Sequence, residues 1–270
     1  MPDVILVVLD HPAATDGLLS AARRLAELCG AGRINAMLVR APPGLLVSPS
    51  EEVLTTQREA ELRNAEAIRA DAVHAVFDTW SATAPPGLNV RWIEIEGAVD
   101  LLVEEHGRRA DYLVVEQSSH HDYGTSWMAL RAALFTTDRP VLMMPAGSSA
   151  EFGRHIVIAW RDDGRATKAV LSALHCLTRA ERVCVLCGTR GGAAPQIPPI
   201  LGEHGVAAEL HVLPIGGGSF GAALLDRAHE LAADMLVMGA YQHSPLREFL
   251  LGGVTRHMLN HADLPILLRH

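Results

Sequence analysis

Short runs of Val, Ile and Leu alternate along the chain with longer segments whose apolar residues recur at helical spacing. The runs lack polar alternation, which indicates strands buried on both faces of a parallel sheet, joined by helices in βαβ units. In the first half this pattern predicts strands near 4–9, 34–39, 90–95, 112–115 and 140–144, and helices near 15–29, 51–80, 98–108 and 126–136. In the second half it predicts strands near 155–160, 182–187, 208–213, 235–238 and 265–268, and helices near 164–179, 196–204, 219–232 and 251–260.

The two halves of the chain follow the same plan. The segments from Ala110 and from Ala233 both read Ala-Asp, an apolar run, a polar loop, a helical stretch, and a proline before a short strand. The beginnings also correspond, since "DVILVVLD" is matched by "RHIVIAWRDD". Such self-similarity predicts two homologous domains, 1–147 and 152–270, joined by a turn-forming stretch at 145–153.

Each domain is predicted to be α/β, with a doubly wound, Rossmann-like parallel sheet. Ligands of such sheets bind outside the carboxyl ends of the strands, near the point where the strand order reverses. The segment 51–80 reads as one long amphipathic helix, whereas its counterpart in the second half is short and interrupted by "AAPQIPP".

Composition and charge narrow the class of protein. A hydrophobic content of 49% with only 4% aromatic residues indicates a core of small aliphatic side chains, typical of helices packed on a parallel sheet. The net charge of −8 argues against nucleic acid as the main partner. Four cysteines without a regular framework fit a reducing compartment. The first residues show neither a basic leader nor a membrane span, so we expect a soluble, cytoplasmic protein without membrane partners.

A glycine-flanked loop in the second half is the strongest candidate site. It leaves the predicted strand at Gly239 and enters a helix at Gly252-Gly253, with Thr255 in the first turn. Unpaired backbone N–H groups at a helix start, bared by glycine, form a cradle for phosphate. The alternative is that these glycines only end a strand and turn the chain into a helix, and the residue types alone leave both interpretations open.

The chain resembles a tandem universal stress protein along nearly all of its length. The resemblance rests on the first strand of each half, on the strand end "ADMLVMG" and on the tail "LLGGVTRHMLNHADLPILL". In that family, G-x2-G-x9-G followed by Ser or Thr holds the phosphates of ATP. Here Gly239 fits the first position and Gly252 the last, Gln242 replaces the middle glycine, and Gly253 replaces the hydroxyl residue.

The resemblance implies that the second half binds ATP, with Mg²⁺ as a possible companion. The predicted contacts are Gly239, Gly252, Gly253, Thr255, His243 and Arg247. Asp10 in the first half ends the first strand, where the family often places an Asp near adenine; the second half has Ala159-Trp160 there. Glu116 takes the place of Gly239, and its carboxylate would repel phosphate by roughly 1–4 kcal/mol.

We therefore predict that the first half does not bind nucleotide and acts as a pseudo-partner of the second. The family commonly pairs subunits through the last strand of the domain. This implies that "PVLMMP" pairs with "PILLRH" inside the chain, with a homodimer as a further possibility.

Other motifs have simpler explanations. Cys184 and Cys187 are three apart on a predicted strand, so their thiols point to opposite faces and predict no metal site. His257 and His261 are spaced for a helical metal pair but lack the H-E-x-x-H pattern. The glycine-rich turn at 214–226 is either a βα loop with Ser219 as N-cap or another wall of the same cleft.

The sequence therefore predicts a non-enzymatic stress-response protein that binds adenine nucleotide in its second half. Two alternatives remain open. One is a nucleotide-free protein-interaction scaffold, favoured by Gln242, Gly253 and Trp160. The other is a slow ATPase or nucleotidyl transferase, for which Asp162, Asp163 and His243 are the candidate base or metal ligands.

Overall fold

A computed structural model describes residues 3–46, 55–118, 124–189, 191, 195–216, 219–240 and 253–270. The strands are β1 Val4–Leu9, β2 Arg33–Arg40, β3 Asn89–Glu96, β4 Tyr112–Glu116, β5 Val141–Met144, β6 His155–Trp160, β7 Arg182–Thr189, β8 Glu209–Pro214, β9 Met235–Gly239 and β10 Ile266–Arg269. The helices are α1 Pro12–Cys29, α2 Pro43–Leu46, α3 Thr56–Ser81, α4 Val99–Gly107, α5 Thr125–Thr136, α6 Gly164–Leu177, α7 Pro199–Glu203, α8 Phe220–Glu230 and α9 Gly253–His261.

The predicted α/β, doubly wound architecture is confirmed. Ten strands form one sheet in the order β3-β2-β1-β4-β5-β10-β9-β6-β7-β8. All neighbours are parallel except β5 and β10, which pair antiparallel at the centre. The strand order of the second half, read outward from β10, therefore repeats that of the first half read from β5. The predicted pairing of "PVLMMP" with "PILLRH" is present as the β5–β10 seam, where Leu142 lies opposite Leu267.

The repeated Ala-Asp dipeptide has the same structural role in both halves. Asp111 accepts a hydrogen bond from the Val4 backbone N–H at 2.8 Å, where β1 begins. Asp234 accepts bonds from the N–H groups of Gly153, Arg154 and His155 at 2.8–3.1 Å, where β6 begins. Each aspartate thus fastens the first strand of its half to the fourth strand.

Helices cover both faces of the sheet and bury two hydrophobic layers. One layer contains buried side chains of α1, α3 and α6, and the other contains those of α4, α5, α8 and α9. Near-complete burial on both faces explains why the strands inside the sheet read as continuous apolar runs, whereas the edge strands β3 and β8 are partly exposed. Within the described segments, every helix is too short or too polar to span a bilayer.

Four helices differ from the sequence prediction. Helix α1 begins at Pro12, because a proline is well tolerated at the first helical position even though the apolar spacing starts later. The short helix α2 is one that the pattern did not predict. Helix α3 begins at Thr56 rather than at 51, because Thr55 caps it, and α7 covers only Pro199–Glu203 of the predicted 196–204.

The stretch 145–153 carries Phe152, which is 1% exposed, and whose carbonyl accepts a hydrogen bond from the Arg24 side chain at 2.8 Å. Its last part is therefore packed into the core.

Candidate functional site

The candidate site of the second half lies at the carboxyl ends of β6 and β9. These strands are neighbours in the sheet although β7 and β8 separate them in sequence. Helix α6 follows β6 on one face of the sheet, and α9 follows β9 on the other. This is the switch point of a doubly wound sheet, where a crevice opens between loops that diverge to opposite faces.

Gly239 is the last residue of β9 and lies against the start of α6. A Cβ atom at this position would stand 3.1 Å from the Arg165 carbonyl carbon and 3.2 Å from the Ala166 nitrogen. These neighbours are backbone atoms of a helix and have little freedom to move. The close packing of β9 on α6 therefore requires glycine here, whether or not a ligand binds.

The remaining predicted contacts fall in two groups. Gly253 is the first residue of α9, and a Cβ atom there would meet no neighbour within 4 Å among the described residues. Thr255, in the first turn of α9, is fully buried, so its hydroxyl faces the protein interior. Gly252, His243 and Arg247 lie outside the described residues, as does Gln242.

Arg269 is a basic residue beside Gly239 that the sequence motifs did not indicate. The two residues are register partners at the ends of β10 and β9, and the Arg269 side chain is only 15% exposed. Its Nη2 lies 3.2 Å from Asp138 Oδ1, whereas Nη1 is buried and has no hydrogen-bond partner in the described parts of the chain. Burial lowers the pKa of Arg269. The Arg269 guanidinium thus lies at this edge with Nη2 near Asp138 and with Nη1 lacking a hydrogen-bond acceptor among the described residues.

Other cations surround the same strand end. Burial and the positive charges of Arg165 and Lys168 lower the pKa of His270, with Arg269 adding to the effect. The nearby acidic groups are Asp138, which lies 4.0 Å from Lys168 Nζ, and Asp163, which caps α6, so the three cations outnumber them. The edge of the sheet beside Gly239 is therefore positive, which favours an anionic ligand.

The equivalent edge of the first half has the opposite character. Glu116 ends β4 as Gly239 ends β9, and its register partner is Met144 where the second half has Arg269. Aligning the buried positions of α1 and α6 places Ala14 and Gly17 where the second half has Arg165 and Lys168. These small residues and Glu116 line a cleft of about 150 Å³.

The Glu116 carboxyl group is itself poorly solvated. Its Oε2 atom is buried without a hydrogen-bond partner among the described residues. Burial raises the pKa of Glu116, Asp10 adds to the increase, and His11 opposes it. A carboxyl group in this position disfavours a second negative charge.

The first turn of α5 in the first half is already occupied by an internal carboxylate. Thr125 and Ser126 each donate a side-chain hydrogen bond of 2.5 Å to Asp10 Oδ2. A negative charge near a helix N-terminus is stabilised by the helix dipole, so the Asp10 carboxylate stabilises the start of α5. Asp10 thus serves the fold of its own half.

Arg69, on α3, pairs with the same Asp10 carboxylate. It lies 2.9 Å from Asp10 Oδ1, and Glu66 holds it through contacts of 2.7 and 2.9 Å. It also donates to the backbone carbonyls of Asp10 and Val39, at the ends of β1 and β2. The counterpart helix α7 is five residues long and contains no arginine, so it provides no equivalent of the Arg69–Asp10 ion pair.

Trp160, which favours the nucleotide-free alternative, and Asp163, a candidate base for the ATPase alternative, both lie near the end of β6. Trp160, at the end of β6, packs against the sheet face covered by α6, whereas α9 lies on the other face. Asp163 is the N-cap of α6, where its Oδ1 accepts bonds of 3.1 and 3.0 Å from the N–H groups of Arg165 and Ala166. Its other oxygen lies 2.5 Å from Arg161 Nε, so Asp163 has a structural role.

The structure also shows the positions of the serine, cysteine and histidine residues of the other motifs. Ser219 caps α8 by accepting a bond from the Ala222 N–H at 3.3 Å, as the βα-loop interpretation predicts. Cys184 and Cys187 lie in different hydrophobic layers, so their thiols do point to opposite faces. The rings of His257 and His261 are adjacent, with centroids 4.6 Å apart.

Part of the second half matches a known protein family. Residues 203–270 match the sequence profile of the universal stress protein family, and this segment contains all six predicted nucleotide contacts. A search of curated proteins gives no match.

Solved structures share the fold along the whole chain. A universal stress protein from Archaeoglobus fulgidus DSM 4304 aligns with a TM-score of 0.73 and 12% identity, covering 99% of this chain and 96% of that one. A functionally unknown protein from Pseudomonas aeruginosa PAO1 aligns with a TM-score of 0.58 and 16% identity, covering 99% and 92%. The cytoplasmic domain of a prokaryotic cation chloride cotransporter aligns with a TM-score of 0.56 and 14% identity, covering 99% and 95%. At these identities the likeness establishes the fold alone.

Proposed function

We propose that this chain is a non-enzymatic stress-response protein that binds adenine nucleotide, most simply ATP with or without Mg²⁺, in its second half only. The proposal extends the family match at residues 203–270, which overlies the glycine-flanked loop. The first half acts as a structural partner across the β5–β10 seam. Nucleotide would bias the conformation of the loop and of the surface around it.

A reversal of charge between equivalent strand ends carries the proposal. In the second half, Gly239 lies beside the buried guanidinium of Arg269. In the first half, the same positions hold Glu116 and Met144. A triphosphate is attracted to the first environment and repelled by the second, because charge interactions strengthen where solvent is partly excluded.

The test is a calorimetric titration of the full chain with ATP, with and without Mg²⁺. We expect one site per chain. Gly252→Asp should weaken binding about tenfold or more, since it places a carboxylate where the family motif holds phosphate. The matched control is Gly124→Asp, which introduces the same charge immediately before α5 of the first half and should leave binding unchanged. Absence of binding heat at millimolar ATP would contradict the proposal, as would equal losses in both variants.

A second candidate is a protein-interaction scaffold that binds no nucleotide. It is favoured by the packing of Gly239 against α6 and by the burial of Thr255, which explain both residues without a ligand. The shared fold does not choose between the candidates, because one fold serves many functions. A failed ATP titration in a folded protein would favour the scaffold.

An ATPase is the less favoured alternative. Asp163, one of its candidate bases, is engaged in capping α6 and in contacting Arg161. Phosphate release from ATP by the wild-type chain should not exceed that of Gly252→Asp. Release clearly above that level would show that the protein is an enzyme.

A further inference from the structure

Three potential metal ligands meet on the outer strands of the second half, away from the glycine loop. Cys184 on β7 is the direct register partner of Glu209 on the edge strand β8. His211 lies two residues further along β8, so all three side chains project from the same face of the sheet. A thiol sulfur, a carboxylate oxygen and an imidazole nitrogen from these residues lie within 4.8 Å of one another.

The three side chains differ in how far they are exposed to solvent. Cys184 is 2% exposed, the His211 side chain is 20% exposed, and the Glu209 side chain is 55% exposed. The cluster therefore has a soft sulfur ligand at its base and an oxygen ligand at its solvent side.

His211 has an unsatisfied nitrogen within this cluster. Its Nε2 is buried, lies 3.6 Å from Glu209 Oε2, and has no hydrogen-bond partner among the described residues. Its Nδ1 lies 3.2 Å from Arg227 Nη2. Because arginine can only donate, Nδ1 accepts this bond and Nε2 carries the proton of the neutral ring. A buried polar atom left without a partner indicates an unmet interaction.

We propose that Cys184, Glu209 and His211 bind a zinc ion, with water in the fourth position. Zinc accepts sulfur, nitrogen and oxygen ligands in tetrahedral geometry, and three protein ligands with one water form an open site. On binding, the Cys184 thiol releases its proton to solvent, and the imidazole proton moves from Nε2 to Nδ1. The thiolate and the carboxylate together neutralise the charge of the ion.

Two arginines must adjust when the metal binds. Arg182 contacts Glu209 at 2.7 and 3.2 Å, and Arg227 contacts Glu230 at 2.5 Å as well as His211. Arg227 would keep its bond to Glu230 and release Nδ1, while Glu209 shares its two oxygens between Arg182 and zinc. The Arg182–Glu209 pair is well exposed, so sharing Glu209 with zinc costs little, whereas the partly buried Arg227–His211 bond must be replaced by the bond from His211 to zinc.

The first half provides an internal contrast. Its equivalent strands β2 and β3 place Asn35 opposite Arg91, with Ile93 two residues further on. These residues cannot form a comparable site. The proposal therefore predicts one zinc ion per chain, independent of the nucleotide site and of the proposed function.

The test is a titration of the metal-free full chain with Co²⁺ and Zn²⁺. We expect one equivalent of Co²⁺ to bind and to produce a sulfur-to-cobalt charge-transfer absorption that Zn²⁺ displaces. Cys184→Ser should abolish the charge-transfer band, and His211→Asn should weaken affinity at least tenfold. Cys187→Ser is the matched control, because Cys187 is buried on the same strand but points to the other face.

Variants that fail to fold are separated from those that fail to bind by circular dichroism. His211→Asn alters a partly exposed residue, so it provides a readout if Cys184→Ser is unstable. Zn²⁺ should raise the melting temperature of the wild type and of Cys187→Ser, but not of His211→Asn. No charge-transfer band in the wild type would overturn the proposal, as would equal binding by His211→Asn.

Discussion

Asp10 and Arg69, which are 59 residues apart in sequence, form an ion pair of 2.9 Å across the carboxyl edge of the first half. The same carboxylate accepts hydrogen bonds from Thr125 and Ser126 at the start of α5. Together these contacts satisfy the Asp10 carboxylate within the first half. The two halves thus share a fold, while the second half has Ala159-Trp160 at the end of its first strand.

Removing Arg69 should destabilise the protein substantially. In Arg69→Met, the carboxylates of Asp10 and Glu66, which are 12% and 14% exposed, lose their common cation. Breaking a buried pair in this way costs about 3 kcal/mol. Urea unfolding followed by circular dichroism measures the change.

The control for Arg69 lies on the same helix. Arg63 contacts Glu59 at 2.8 Å, but both side chains are well exposed. Arg63→Met should change the free energy of unfolding by no more than about 0.5 kcal/mol. Similar decreases in the free energy of unfolding of the two variants would contradict the conclusion that the Arg69 ion pairs with Asp10 and Glu66 stabilise the fold.

Replacing Glu116 by Gln should stabilise the protein at neutral pH. Burial raises the pKa of Glu116 above its ordinary value of 4.5, so the folded state binds the proton more tightly than the unfolded state. Stability from this group is therefore full below pH 4.5 and is lost as pH rises through the folded-state pKa.

The Glu116→Gln variant removes this loss. Its advantage over wild type in the free energy of unfolding should be largest at pH 7 to 8, since the carboxyl group is then ionised, and should shrink as the pH falls toward about 4.5. Urea unfolding at a series of pH values measures it. An advantage independent of pH would show that the effect comes from packing.

Gly239 and Gly253 should respond in opposite directions to alanine. Gly239→Ala forces a Cβ atom against the backbone of Arg165 and Ala166, which we expect to cost about 1–2 kcal/mol. Gly253→Ala meets open space in the first turn of α9 and should be neutral or stabilising by up to about 1 kcal/mol. Thermal unfolding of the two variants measures the changes in stability. Equal changes would contradict the explanation that Gly239 is needed because β9 packs closely on α6.

The β5–β10 seam should couple the unfolding of the two halves. Leu267 is 1% exposed and lies opposite Leu142, so Leu267→Ala should cost about 2–5 kcal/mol. Hydrogen exchange should accelerate in β4 and β5 of the first half as well as in the second half. Leu171→Ala, at a position 46% exposed on α6, is the control and should change little. Acceleration confined to the second half would show that the halves unfold independently.

Much of the fold could be predicted because its signals are local. Each inner strand is covered on both faces, so it reads as an apolar run whatever its neighbours are, and only the edge strands β3 and β8 contain exposed residues. The opposite orientations of Cys184 and Cys187 followed from the two-residue period of a strand. The start of α1 was placed late, because its first turn lacks the apolar spacing of the rest.

The candidate site was only partly predictable. Gly239 and Gly253 were located from the motif, but the reason for glycine at Gly239 is the start of α6, which the motif does not contain. No sequence motif indicates Arg269, because its place beside Gly239 depends on β10 lying next to β9. The spacing of Cys184 and Cys187 says nothing of Glu209 and His211, which lie near Cys184 in space.

The sequence by itself determined the alternation of strands and helices, the likeness of the two halves and the position of the glycine-flanked loop, because these depend on spacing along the chain. Only the tertiary structure decided that Arg69 pairs with Asp10, that Arg269 lies beside Gly239, and that Cys184 meets His211. Each of these contacts joins residues on different elements, and the packing of the sheet and its helices fixes which elements become neighbours.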